Sequence, residues 1–229
     1  MSKFFMYGTE LQDIEQMMML VPNFITRRSG VVVVKKLQYE NEGVSCPDCD
    51  RYKRSRCRDN TFSCFAEKVA AGEICYKNIV NDYYKNLKSY HLKKRLEQLI
   101  RKFNGDIFLN PIHSSRFHTI LKIQNESMKS KNPTYLATLF LLTADDNLCR
   151  IAKDHIYKNS FDFKNMRLNG INTDVYALYQ TARTIYTGIE HIKMSEVADD
   201  TLIGTDAFKA IINAAMVAGY GADMFQVNC

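Results

Sequence analysis

Apolar residues recur at helical spacing along most of this chain, and the pattern predicts a mainly α protein. Thr9 to Leu20 reads as a first helix: Leu11, Ile14, Met17, Met18 and Val21 form a stripe, Thr9 with Gln12 makes a capping box, and Pro22 ends it. The β-branched run Val31-Val32-Val33-Val34 follows Ser29-Gly30 and predicts a short strand from about Gly30 to Tyr39. Asn41-Glu42-Gly43 then turns the chain.

After Cys64 the helical spacing returns. Phe65, Ala66 and Val69 share a face before Ala71-Gly72 interrupts it. A longer helix is predicted over Lys77–Phe103, with Ile79, Tyr83, Leu87, Leu96, Leu99 and Ile100 on its apolar side and Asn104-Gly105-Asp106 as its stop. Ile107-Phe108-Leu109 reads as a short extended piece ahead of Asn110-Pro111. A helical array follows: Ser115–Asn125, Pro133–Thr143, Asp145–Tyr157, Thr173–Thr187 and Thr205–Ala218. Its punctuation is Asn132 before Pro133, Asp145 as a cap, Gly170 before the fourth helix, Gly188 after it, and Gly219 after the last. Tyr176, Leu178, Tyr179, Ala182, Ile185 and Tyr186 give the fourth helix a broad face for burial.

The expected architecture is therefore a small strand-containing N-terminal part with a cysteine module and a long helix, residues 1–104, followed by a C-terminal helical bundle, residues 105–229. The two parts are able to share one core.

Composition adds limits. Hydrophobic residues make up 46% of the 229, enough for a real core. No stretch approaches the roughly twenty apolar residues of a membrane span, so no membrane partner is expected. Met1-Ser2-Lys3-Phe4-Phe5 runs into Glu10, Asp13 and Glu15 instead of an apolar signal core, which points to a cytoplasmic protein. Seven cysteines in such a chain are expected to be reduced, and an odd number cannot all pair within it.

Four of the seven fall within nineteen residues: Cys46-Pro-Asp-Cys49, Cys57 and Cys64. Two thiolates in a C-x-x-C turn grip one side of a tetrahedral ion, and two later ones close the other. The first reading is one structural zinc ion held by Cys46, Cys49, Cys57 and Cys64, which would fix a segment with few large apolar residues. An iron–sulfur cluster uses the same four thiolates, and redox-active or simply free cysteines are the third reading. Cys75, Cys149 and Cys229 are left as buried or free thiols.

The net charge of +6 is unevenly placed. Residues 46–102 hold fourteen Lys and Arg against seven Asp and Glu, whereas residues 1–45 balance and residues 103–229 hold twelve against thirteen. Arg51, Lys53, Arg54, Arg56 and Arg58 lie inside the cysteine cluster. A zinc tetrathiolate carries formal charge −2, so one or two of these cations can balance it. The rest, with Lys93, Lys94 and Arg95, are suited to phosphate or to an acidic protein partner. Arg51, Arg54, Arg56, Lys93, Lys94 and Arg95 are the candidate phosphate contacts, and Tyr52 is a candidate base stacker.

Catalytic signals are weak. His113 and His118 are five apart, on different sides of a helix, which suits a shared metal poorly. Asp145-Asp146 with Asp154-His155 reads better as an acidic helix start on a polar surface than as an acid/base set. Ser114, Ser115 and Ser195 have no companion motif, and the chain has no phosphate-binding glycine loop.

Cys46-Pro-Asp-Cys49 with the later cysteines, Ala66 through Gly72, Leu141 through Asp145, Tyr179 through Gly188 and Phe208 through Gly221 together resemble an uncharacterised protein family carried on conjugative transposons and prophages of Firmicutes bacteria. The likeness covers roughly residues 46–225 and rests on general pattern. It implies a bacterial cytoplasm and a mobile-element or phage context. With the charge pattern, it gives as first expectation a non-enzymatic zinc-binding accessory protein that binds nucleic acid or a nucleoprotein through residues 51–102. The alternatives are an inhibitor that binds a host defence protein such as a CRISPR nuclease, and an enzyme whose residues meet only in space.

Overall fold

A computed structural model describes residues 24–26, 32–34 and 74–227. The predicted first helix, the Phe65–Val69 segment and all four clustered cysteines lie outside the described residues. The chain divides into two units, Met1–Ser63 and Cys64–Cys229.

In the first unit, β1 (Phe24–Thr26) pairs antiparallel with β2 (Val32–Val34), Phe24 opposite Val34 and Thr26 opposite Val32. The valine run therefore supplies a strand. Its partner, Phe24-Ile25-Thr26, is made of β-favouring residues but is too short to show an alternation in sequence.

The second unit is helical. Its helices are α1 (Tyr76–Tyr83), α2 (Tyr90–Arg101), α3 (Pro111–Ile123), α4 (Pro133–Ala144), α5 (Asp146–Ala152), α6 (Thr173–Thr187), α7 (Met194–Ala198) and α8 (Thr205–Tyr220). Helix α4 is the centre. Every residue from Tyr135 to Ala144 is buried, and α3, α5, α6 and α8 pack around it. A helix apolar on all sides requires neighbours on all sides, and its two buried threonines satisfy their hydroxyls locally: Thr138 donates to the Thr134 carbonyl and Thr143 to that of Leu139.

The helix predicted over Lys77–Phe103 is two helices. Ser89 accounts for the break, because its hydroxyl accepts the Leu92 amide at 3.4 Å and starts α2 anew. Periodicity joined the two because Ile79 and Val80 on α1 and Leu92, Leu96 and Leu99 on α2 are buried in the same core. Ile107 and Phe108 are buried in irregular backbone instead of a strand.

Other boundaries move for similar reasons. Helix α3 begins at Pro111 instead of Ser115, since Asn110 accepts the His113 amide at 2.9 Å and Pro111 occupies the first helical position, where its missing N–H costs nothing. Helix α5 ends at Ala152 and continues as a 3₁₀ turn over Lys153–His155. Helix α7 is too short to have shown a period. Gly219 lies inside α8 instead of ending it. A Cβ there would stand 2.6 Å from the Tyr83 ring, so this glycine lets α1 and α8 approach, and Gly221 at φ 78° ends the helix. On α6, Leu178, Tyr179 and Ala182 are buried as expected, but Tyr176 is half exposed.

Residue 104 falls inside the second unit. The core runs without a break from Ile74 to Val227, and α1 joins α8 through polar groups as well as packing. Tyr76 donates to Asn213 Oδ1 at 2.6 Å, and Asn213 Nδ2 donates to the Ile107 carbonyl at 2.7 Å. The Tyr76 ring also stacks on Phe103, with centroids 3.8 Å apart.

Candidate nucleic-acid interface

Helix α2 is the part of the basic segment that can be built from its residues upward. Leu92, Leu96 and Leu99 fall on one stripe and are buried, which turns Tyr90, Lys94, Glu97 and Arg101 outward on the opposite stripe. Lys88, Lys93, Lys94, Arg101 and Lys102 are all exposed, and none has a carboxylate within ion-pair distance among the described residues. Lys85, by contrast, pairs with Asp82 at 3.1 Å. Among the described residues, then, these surplus cations take no part in ion pairs that hold the fold.

Arg95 is different. Its guanidinium donates to the carbonyls of Val197 (2.9 Å), Asp199 (3.1 Å), Ile203 (2.7 Å) and Gly204 (3.4 Å), and lies 4.0 Å over the Phe208 ring. It fastens α2 to the segment between α7 and α8. Burial pulls its pKa down, while Asp200, Asp174 and Asp199 pull it up. Of the candidate phosphate contacts, then, Lys93 and Lys94 stand free on the surface and Arg95 holds the wall behind them. Arg51, Tyr52, Arg54 and Arg56 lie outside the described residues, as do Cys46, Cys49, Cys57 and Cys64.

Two residues outside the set of candidate contacts, Tyr90 and His91, sit at the head of this face. Tyr90 is 73% exposed and its ring meets that of His91 edge to face, 5.9 Å between centroids. His91 and Lys94 also line a cleft of about 400 Å³ whose far wall is Ser195, Asp199 and Asp200. The signal for Tyr90 was present, since an aromatic residue opposite a leucine stripe has no core to enter.

Asp145, Asp146 and His113 have structural roles. Asp145 caps α5 by accepting the Leu148 amide at 2.9 Å. Asp146 pairs with Arg116 at 3.4 Å and Arg150 at 3.3 Å, and Arg116 also donates to the Thr143 and Ala144 carbonyls at the end of α4. His113 is fully buried: its Nδ1 accepts the Leu109 amide at 3.3 Å, which leaves Nε2 to donate to the Phe140 carbonyl at 2.9 Å. Burial lowers its pKa to about 4, so it is a neutral packing residue near neutral pH.

Cys75 and Cys149 are free and partly buried, and burial raises the Cys149 pKa. Among the described residues no group of three or more His, Cys, Asp or Glu is placed to hold a metal ion. No described helix is long and apolar enough to cross a membrane. No protein-family model, curated protein or solved structure matches the chain.

Proposed function

We propose that this chain is a non-enzymatic, zinc-binding accessory protein of a bacterial mobile element or phage, binding nucleic acid or a nucleoprotein through its basic 51–102 region. The observation that carries the reading is the row of cations on α2 without carboxylate partners among the described residues. Cations that stabilised the fold would be paired or would cap carbonyls, as Arg95 and Arg116 do. Unpaired ones on one helix face form a local positive potential suited to a polyanion. The thiolate spacing of Cys46, Cys49, Cys57 and Cys64 supports zinc, and a fixed metal loop would hold Arg51, Arg54 and Arg56 in place.

Charge reversal tests it. Lys93→Glu combined with Lys94→Glu and Arg101→Glu should leave the thermal melt nearly unchanged, because all three side chains are exposed. Retention on a mixed DNA and RNA pool at low salt should fall by an order of magnitude or more, each lost phosphate contact removing a share of the binding. Equal retention by variant and wild type would overturn the use of this face. If the chain instead captures a protein from nuclease-treated bacterial lysate and ignores the pool, inhibition of a host defence protein replaces this reading.

A further inference from the structure

We infer that Tyr90 is a stacking platform for an unpaired base, so that the α2 face takes single-stranded nucleic acid in preference to duplex. The inference rests on the phosphate reading of α2 and sharpens it to a substrate class.

Three observations converge on this residue. Tyr90 is the most exposed of the large aromatic side chains among the described residues, at 73%, and its hydroxyl has no partner there. It occupies the crest of the outward stripe, with Lys93 and Lys94 one turn along the same helix and Lys88 just ahead of it, all exposed and with no carboxylate in ion-pair distance among the described residues. Among the described residues its one aromatic neighbour is His91, set edge to face, and no described ring covers the remaining face.

Each point selects for the ligand. Cations alone fit any polyanion, duplex included. A flat uncovered ring adds nothing for a duplex, whose base faces are hidden against one another. It adds a large increment for a strand with splayed bases, because every base has a π-face and stacking on Tyr or His is tolerant of sequence. An acidic protein would satisfy the lysines without requiring an uncovered ring among them. The cleft beside it gives a displaced base room, with His91 and Lys94 on the near wall and Asp199 and Asp200 on the far wall; the Asp200 carboxylate is an acceptor for a base N–H, while Asp199 Oδ1 is already taken by Thr201. Arg95 holds the two walls together through the Val197 and Asp199 carbonyls, so the cleft is formed before any ligand arrives.

Fluorescence anisotropy with the full chain tests this on matched probes of about twelve nucleotides, within the range such sites span. The probes are oligothymidylate, oligouridylate, an abasic deoxyribose-phosphate strand, a duplex and polyglutamate. The wild type should bind the thymidylate or uridylate strand about 5- to 100-fold more tightly than the abasic one at the same salt. The comparison of the two base-bearing strands reads out any use of the ribose hydroxyl. Tyr90→Ala should erase the advantage of bases while leaving the abasic affinity unchanged, and Tyr90→Phe should keep it. A wild type that binds abasic and base-bearing strands equally, or a Tyr90→Ala variant that keeps the difference, overturns the stacking role while phosphate binding stands. Polyglutamate binding as tight as the strand would assign the face to an acidic protein. Failure to bind any nucleic-acid probe at low salt would remove the phosphate reading itself, and the platform with it.

Discussion

Arg95 lies with its guanidinium 4.0 Å above the ring of Phe208, on α8, while donating to four backbone carbonyls between Val197 and Gly204. This one side chain joins α2 to the α7–α8 connection, a segment with few large apolar residues of its own. Arg95→Ala should therefore cost about 2–4 kcal/mol, from lost charge-assisted hydrogen bonds and the stack. Arg95→Lys should recover less than half, because a point charge cannot reproduce the planar fork. Urea denaturation of the two variants beside Lys94→Ala, which should lie within about 0.5 kcal/mol of wild type, checks the contrast.

The neighbouring arginines and lysines of this segment look alike in sequence, and their division of labour was not legible there. Charge counting marks a basic segment but gives no means of telling Arg95 from Lys94, since the difference depends on a partner segment about a hundred residues away. Helices Pro133–Ala144 and Thr173–Thr187 were readable because period, cap and stop signals coincide: Asn132 with Pro133, and Gly188 at φ 73°. The α1–α2 break was hidden because one apolar period continues across it, and the serine that makes it is an ordinary residue until it caps. Tyr90 becomes legible only once α2 is separated from α1, because its outward place is defined by the stripe of Leu92, Leu96 and Leu99 opposite it.

Asn213 is fully buried and bridges Tyr76 to the Ile107 carbonyl. Asn213→Ala strands a buried hydroxyl and a buried carbonyl and should cost about 2–4 kcal/mol, whereas Tyr76→Phe removes one donor and should cost about 1 kcal/mol. Thermal melts of the two variants should show that order. The reverse order would mean that the ring stack on Phe103, retained in Tyr76→Phe, is not what anchors α1.

His113 links stability to pH. Its pKa falls from 6.5 to about 4 on folding, chiefly through burial, with the Phe140 carbonyl opposing and the Arg116 and Lys209 charges adding to the fall. The unfolded chain thus binds more protons between these values, and stability is lost as pH drops through that window, by up to about 3 kcal/mol. Denaturation midpoints measured from pH 7 to pH 4 should decline for the wild type. His113→Gln, which keeps a donor and an acceptor but cannot titrate, should show a smaller decline over the same range. Parallel curves would remove His113 from the account.

The cysteine cluster is tested by metal content. Protein purified under reducing conditions should carry about one zinc per chain, and Cys49→Ser should lose it together with protection of residues 46–64 from proteolysis. Iron with a visible charge-transfer band would assign a cluster instead. Neither metal in freshly reduced protein would remove the zinc reading.

Affinity for a single-stranded oligonucleotide as a function of salt bears most directly on the function. Binding should be tight at low salt and log K should fall linearly with log salt, with Lys93→Glu and Lys94→Glu each lowering the slope by about 0.7, one phosphate contact apiece. No binding at the lowest salt, or an affinity indifferent to salt, would contradict the phosphate reading.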